Sequence, residues 1–496
     1  MSQKSITKNS IYNILKTGSS ILFPLITFPY VSRILLTENV GKVNFGLSIV
    51  SYFSLIASLG IPTYAIRECS SVRDNQEELS NVASQIWSIN IITTAIAYFA
   101  LTLTLVFFRK LDNYRLLIII QSLTILATTL GADWLNSAME DFKYISLRTV
   151  GFQFVSLLLM FIFVHHQNDY VKYAVISLVS SAGASIVNIW HRKRYCRVSF
   201  TRAINWEKHM SSIMYLFVMI LAQTIFNSMD STMLGLVHGD YEVGIYSTAH
   251  KIYNVINQVI GSLLWVILPR MSYFFAENKF DEVNRLVRKI LGFNMLFGLP
   301  CAVGCYTMAE DVVRVVAGNA YLEAAPVLQI LMIGFVFSLV GGNFLGNAIL
   351  LPSKQEKYYM GVCCVTAIVN VTVNYIFIPI GRAKAAAGTT ALCSLIMLVL
   401  LLFKVNKNIR IEKAWKLVLS PVVGSIEIVA VCSACRRIDS FLIRVTISIA
   451  VSVVLYCITQ LLLKNELVND VLKMLKRMIR RQTAEHNKPG SPSGNV

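Results

Sequence analysis

Charged side chains are scarce inside the long apolar runs of this chain, and four stand far enough from the ends of their runs to require a reason: Arg33, Asp230, Lys251 and Glu427. A charge at mid-bilayer costs roughly 2.5–3.5 kcal/mol on insertion scales, so such residues face a protein interior, a wet cavity or an opposite charge. Asp230 and Lys251 flank the polar turn at His238 to Tyr241, about ten residues to either side. At 1.5 Å per helical residue both lie roughly 15 Å deep and can meet. Two chemistries stay open for them. They form an ion pair that ties two helices together, or Lys251 attracts a phosphate group while Asp230 sets its charge state or takes a coupling cation. Arg33 stands about six residues before the turn at Glu38. It either snorkels outward or presents its planar fork to phosphate or sugar hydroxyls within a cleft.

Gln223, Asn227, Tyr246, His250, Asn254, Asn257 and Gln258 share the same two runs. Amide, hydroxyl and aromatic groups of this kind suit a sugar, although hydrogen bonding between helices accounts for them equally. The candidate cavity set is Arg33, Asp230, Lys251, Tyr246, Asn227, His250, Asn254 and Gln258. A proton or a sodium ion is the coupling species such groups would serve; His250 titrates near neutrality when unperturbed. No cofactor or metal is expected. The ten cysteines are scattered, and Cys432 with Cys435 in CSAC lacks a second ligand pair. No nucleophile constellation, phosphate-cradling glycine loop or carboxylate pair suited to acid/base work is present, so no catalytic residue is assigned.

The elements that must position these residues follow from composition. The chain has 496 residues, 55% apolar and 15% charged, with a mean hydropathy of +0.59. A soluble domain is about a quarter charged; this surface faces lipid. Windows of about 20 apolar residues predict an all-α integral membrane protein of about fourteen transmembrane helices, since open backbone in hydrocarbon leaves polar groups unpaired. The predicted organisation is a cytoplasmic stretch 1–10, a six-helix bundle 11–190, a basic linker 191–211, a second six-helix bundle 212–403, two further helices 417–463, and a basic amphipathic helix with a disordered tail at 464–496. The amino terminus MSQKSITKNS lacks a cleavable signal pattern and reads as leading into a retained first helix. Lys and Arg concentrate on the side holding both termini, so the net charge of +18 is chiefly the bias that orients membrane helices, with both termini cytoplasmic. Nucleic acid is excluded as a partner on the same ground. A second basic amphipathic stretch, 277–290, reads as an interfacial helix.

An internal repeat divides the chain. GADWLNSA at 131–138 answers GGNFLGNA at 341–348, and ENVGKVNFG at 38–46 answers DYEVGIYS at 240–247. Each Val-Gly opens a second span that closes with Pro and then Arg, at Pro62 and Arg67, and at Pro269 and Arg270. Six intervening spans make the repeats parallel, as in alternating-access transporters.

The words TFPYVSRILLTENVGKVNFGLSIVSYFSLIASLGIPTYAIRE at 27–68, DWLNSAMEDFKYISLR at 133–148 and MDSTMLGLVHGDYEVGIYSTAHKI at 229–252 resemble polysaccharide flippases of the Wzx type. Those belong to the multidrug/oligosaccharidyl-lipid/polysaccharide exporter superfamily, and the resemblance covers most of residues 10–410. It implies a MATE-like fold of two pseudo-symmetric bundles, and movement of an undecaprenyl-diphosphate-linked oligosaccharide to the outer leaflet of the plasma membrane. Other polysaccharide-assembly membrane proteins are the implied partners. A multidrug exporter or a peptidoglycan lipid-precursor flippase of the same superfamily is the alternative. A membrane glycosyltransferase or polymerase is disfavoured by the short outer loops.

Overall fold

The computed structural model describes residues 6–404, 409 and 414–469. Among them there is no β-strand, as expected of backbone that must pair its own polar groups in hydrocarbon. The helices of the first half are α1 (Ile6–Ser58), α2 (Ile61–Ser71), α3 (Gln76–Phe107), α4 (Arg115–Gly131), α5 (Trp134–Ala138), α6 (Phe142–Phe163) and α7 (Tyr170–His191). The second half holds α8 (Trp206–Val237), α9 (Asp240–Ala276), α10 (Phe280–Phe293), α11 (Leu299–Thr307), α12 (Ala309–Val316), α13 (Ala324–Ser338) and α14 (Glu356–Leu402). Two more, α15 (Ala414–Cys435) and α16 (Phe441–Leu462), follow. The architecture is two helical bundles with an appended hairpin. Large side chains such as Phe99, Phe107, Ile380 and Val454 stand exposed on its flanks, where lipid is their solvent.

Eleven helices among the described residues are long and apolar enough to cross a membrane. Two are far too long for one crossing. At 1.5 Å per residue the 47 residues of α14 would reach about 70 Å, more than twice the hydrocarbon thickness. Each breaks at one residue: Leu36 in α1 (φ 59°, ψ 177°) and Arg382 in α14 (φ 51°, ψ −139°). Neither is glycine, so both turns are strained and held by their surroundings. The break at Leu36 falls between two stretches that the sequence predicts as separate spans, near 11–36 and 43–66. The segment 37–42 is helical because it packs on the other bundle.

One further expectation differs from what is found. The amphipathic stretch 277–290 is the start of a span: α10 runs through a π-helical stretch, Asn294–Gly298, into α11. Its apolar stripe of Val283, Val287, Ile290 and Leu291 is buried in protein. The linker 191–211 is pinned along α3. The backbone N–H groups of Ser199 and Thr201 donate to the hydroxyls of Ser84 and Ser88 at 3.2 and 2.8 Å, and that of Asn205 donates to Gln85 Oε1 at 3.0 Å. Arg192, at the head of the linker, is buried with its guanidinium 4.8 Å from the Trp87 ring centre.

The hairpin α15–α16 accounts for Glu427, whose carboxylate accepts the Thr459 hydroxyl at 2.8 Å; it ties the hairpin together and serves no cleft. Arg444 of α16 forks onto Asp311 of α12, with Nε donating to Oδ2 at 2.7 Å. Of the predicted amphipathic helix at 464–481, residues 470–481 lie outside the described residues, as does the tail.

Candidate functional site

The bundles meet at the end that carries the Leu36 and Gly239 turns. A Cβ built on Gly41 would lie 1.8 Å from the carbonyl oxygen of Asp240, and one on Gly244 2.1 Å from that of Thr37. These are one contact seen twice, because Thr37 stands to Gly41 as Asp240 stands to Gly244. Asn44 Nδ2 donates to Ser247 Oγ at 2.9 Å across a separation of 203 residues, the offset that relates the two turns. The Val-Gly words of the repeat are therefore where α1 and α9 cross, and glycine is needed at both for close approach of backbones. Tyr114 reinforces the junction by donating to Asp240 Oδ1 at 2.6 Å.

Arg33 belongs to this closure. Its Nη1 donates to Pro29 O at 2.6 Å and its Nη2 to Val315 O at 2.6 Å. The second bond lays a cation on the carbonyl end of α12, where a helix dipole favours positive charge. Thr37 adds a bond to Ala320 O at 2.9 Å. In this conformation Arg33 joins bundle to bundle and presents no fork to the cleft.

Away from the crossing, the first limb of α1 leaves α8 and α9, and a cavity of about 340 Å³ opens between them. Ser20, Pro24 and Asn44 line it from α1; Asn227, His250, Lys251, Asn254 and Gln258 line it from α8 and α9. Five of the eight candidates come together here. Lys251 Nζ sits 4.0 Å from the Phe28 ring centre and makes no ion pair or hydrogen bond with any described residue. The ring's negative face stabilises the ammonium without neutralising it.

Asp230 and Tyr246 stand behind the cavity wall, each 1% exposed. The expected meeting of Asp230 with Lys251 does not occur, because the carboxylate is already surrounded. Tyr246 and Thr390 donate to Oδ2, Thr390 at 2.8 Å. Asn374 and Asn370 donate to Oδ1 at 2.5 and 3.3 Å. Both asparagines are fully buried, and Asn374 Oδ1 has no partner. Tyr246 stacks in turn on His250, ring centres 5.4 Å apart, so the cavity wall separates the buried carboxylate from water by two rings. Sequence reasoning missed Asn370, Asn374 and Thr390. The signal was present as NVTVN, two asparagines one helical turn apart in an apolar run.

No three His, Cys, Asp or Glu side chains gather as a metal set among the described residues. The groups present can hold an anion at Lys251 and hydrogen-bond hydroxyls along α8 and α9.

Comparison with known proteins agrees with this fold. The family model described as MatE matches residues 216–376. An Escherichia coli K12 protein assigned as an O-antigen transporter is 22% identical over 402 residues, covering 79% of this chain and 96% of its own. Staphylococcus aureus "Capsular polysaccharide biosynthesis protein CapF" is 21% identical, covering 79% and 98%. In structure the chain resembles the lipid II flippase MurJ in its inward closed conformation, with a TM-score of 0.70 at 14% identity over 92% of this chain and 99% of that one. It also resembles an inward-facing MATE multidrug-resistance transporter, with a TM-score of 0.58 at 15% identity over 79% and 92%. The family model described as polysaccharide biosynthesis protein spans residues 6–275, more than half of the sequence, and the chain belongs to that family.

Proposed function

We propose that the protein flips an oligosaccharide linked to undecaprenyl diphosphate from the inner to the outer leaflet of the plasma membrane, by alternating access, for surface polysaccharide such as O-antigen, capsule or exopolysaccharide. Dividing α1 and α14 at their breaks and counting α9 gives fourteen crossings, with both termini cytoplasmic and the Leu36 turn on the outer side. The conformation is then closed outside and open within. The domain boundaries drawn from the sequence go with this reading, as do partners among other polysaccharide-assembly membrane proteins.

The observation that carries the proposal is Lys251: an uncompensated cation in a polar cavity walled by apolar helices. A diphosphate supplies the missing negative charge, and the amides and hydroxyls around it suit sugar. Asp230 is assigned the coupling ion. It is a buried carboxylate beside an unpaired amide oxygen, and two such oxygens form the beginning of a site for a hard cation such as sodium, or for a proton. Arg33, Tyr246, Asn227, His250, Asn254 and Gln258 complete the working set, with Arg33 acting as an outer latch.

Lys251→Ala is expected to lower export at least about tenfold, the value of one charge-assisted contact, with membrane abundance unchanged, and Lys251→Arg to keep most of it. Complementation of surface polysaccharide in a flippase-deficient cell, with an immunoblot of membranes, measures both. Unchanged export in Lys251→Ala removes the residue from the site. The multidrug reading draws on the MatE match; drug sensitivity on deletion, without build-up of lipid-linked sugar on the cytoplasmic leaflet, would favour it.

Arg33→Ala frees the carbonyl end of α12 and is expected to raise outside labelling of Thr37→Cys by an impermeant thiol reagent about tenfold. Equal labelling with and without Arg33 would sink the latch.

A further inference from the structure

The two oxygens of Asp230 face different partners. Oδ1 accepts Asn370 and Asn374, both on the limb of α14 that precedes the Arg382 break, 356–381. Oδ2 accepts Thr390, on the limb that follows the break, 383–402, and Tyr246, on α9. The first limb is tied to α8 again at its outer end, where His238 Nε2 donates to Ile378 O at 2.8 Å. Helix α8 and the first limb thus form one body, and Oδ2 fastens it to a second body made of α9 and the second limb. The limbs are also joined further in, by Cys393 Sγ on Thr366 O at 3.5 Å and Tyr358 on Leu400 O at 2.6 Å. A parting of the two bodies therefore starts at the break.

Glu242 holds the second body together. Its Oε2 accepts the N–H of Ala383, the first after the break, at 3.2 Å, and its Oε1 faces Arg382 Nη1 at 3.5 Å. The Glu242 carboxylate is 12% exposed and the Arg382 side chain 66%. An exposed ion pair is worth little, so the bond to the backbone carries the tie. Glu242 and Tyr246 stand one turn apart on α9, and Ala383 and Thr390 two turns apart on the second limb. The two helices are linked at two levels, once directly and once through Asp230.

The first half repeats the tether. Glu242 precedes Gly244 of the crossing by two residues, as Asn39 precedes Gly41. Asn39 Nδ2 donates to Gln167 O at 2.8 Å, at the entry to α7. In each half the residue two before the crossing glycine holds the start of the last helix of its own bundle. Only in the second half does that helix donate to a fully buried carboxylate.

We propose that Glu242 is a positioning residue that couples the buried carboxylate to the outer closure. A cation or proton taken up at Asp230 Oδ2 competes with the Tyr246 and Thr390 hydroxyls for the same lone pairs, and the second limb shifts about the Arg382 break. Glu242 passes that shift to the start of α9, where Gly244 meets Thr37. This rests on the coupling-ion assignment made above and adds how the ion reaches the outer gate.

The test uses the full chain with its cysteines replaced and Ser247→Cys introduced, in sealed right-side-out vesicles labelled by an impermeant thiol reagent. Sodium is varied against choline at fixed pH, and pH at fixed sodium. The ion that acts is expected to change wild-type labelling about fivefold or more, the low end of ordinary coupling between sites. Glu242→Ala should abolish that response and the export, yet keep the rise in melting temperature that the ion gives, because binding at Asp230 is intact. Glu242→Gln retains an acceptor for Ala383 N–H and should respond as wild type, and so should Asn39→Ala. Glu242→Met, which fills the space without an acceptor, is measured in place of Glu242→Ala should the latter fail to accumulate. A wild-type response in the acceptor-less variant would overturn the coupling role and leave the ion assignment standing. Loss of the melting-temperature rise in that variant would overturn it too, by making Glu242 part of the ion site itself. Loss of the response in Asn39→Ala would overturn it in favour of a general loosening of the closure. A wild type whose labelling answers neither sodium nor pH would reject the ion assignment along with it.

Discussion

Gly41→Ala should cut export by more than about tenfold and leave the cleft open to the outside. The added methyl would lie 1.8 Å from the Asp240 carbonyl oxygen, and a backbone atom at a helix crossing has nowhere to yield. Overpacking of this kind costs typically 1–3 kcal/mol, and the cost falls only on the conformation in which α1 and α9 touch. A closed-outside population that dominates in the wild type would then be depleted by about 5- to 150-fold. The measurement is labelling of Ser247→Cys from outside by an impermeant thiol reagent, in a chain whose own ten cysteines have been replaced. Gly244→Ala should behave alike, since its methyl meets Thr37 O at 2.1 Å. Unchanged labelling in both would show that the crossing is not the outer gate.

Asp230→Ala should give the largest loss of stability of any single change at the site. It strips the acceptor from Tyr246, Thr390, Asn374 and Asn370 at once, and each buried donor left unpaired costs roughly 1–3 kcal/mol. The expected result is poor accumulation in membranes and no export. Asp230→Asn separates packing from charge, because it keeps the shape and two of the acceptor directions. It should accumulate near the wild-type level yet fail to export, and sodium, titrated at fixed pH, or protons, titrated at fixed sodium, should raise the melting temperature of the wild type alone. Equal thermal responses in wild type and Asp230→Asn would take the coupling ion away from this carboxylate.

The membrane class and the long apolar helices were legible because both rest on a local property, apolar run length. The Val-Gly repeat was legible too, and more literally than a repeat need be, since Gly41 and Gly244 touch reciprocal carbonyls. What escaped the sequence is long-range. Nothing near Asp230 announces that Asn370, Asn374 and Thr390, at least 140 residues away, will close around it, and without them an acid and a lysine at equal depth looked like a pair. Arg33 was read by depth alone, whereas its orientation is set by the carbonyl end of α12. The breaks at Leu36 and Arg382 fall where polar residues interrupt the apolar runs, at TEN after Leu36 and around Gly381 to Lys384, and what the sequence did not name is the single residue that carries each turn. The apolar face of α10 matched an interfacial helix because lipid and protein interior select the same side chains.

The strap between the bundles has a mechanical meaning. With residues 199–205 bonded to α3 and Gly60 pressed on Leu216 and Phe217 of α8, the inner end of α8 is moored to the first bundle. On the alternating-access reading proposed above, the halves swing like a book bound along that moored edge, and the pages part where α1 leaves α9 beyond the Gly41–Gly244 crossing. For the lipid-linked cargo proposed above, that opening admits the sugar sideways and leaves the hydrocarbon tail among the lipids.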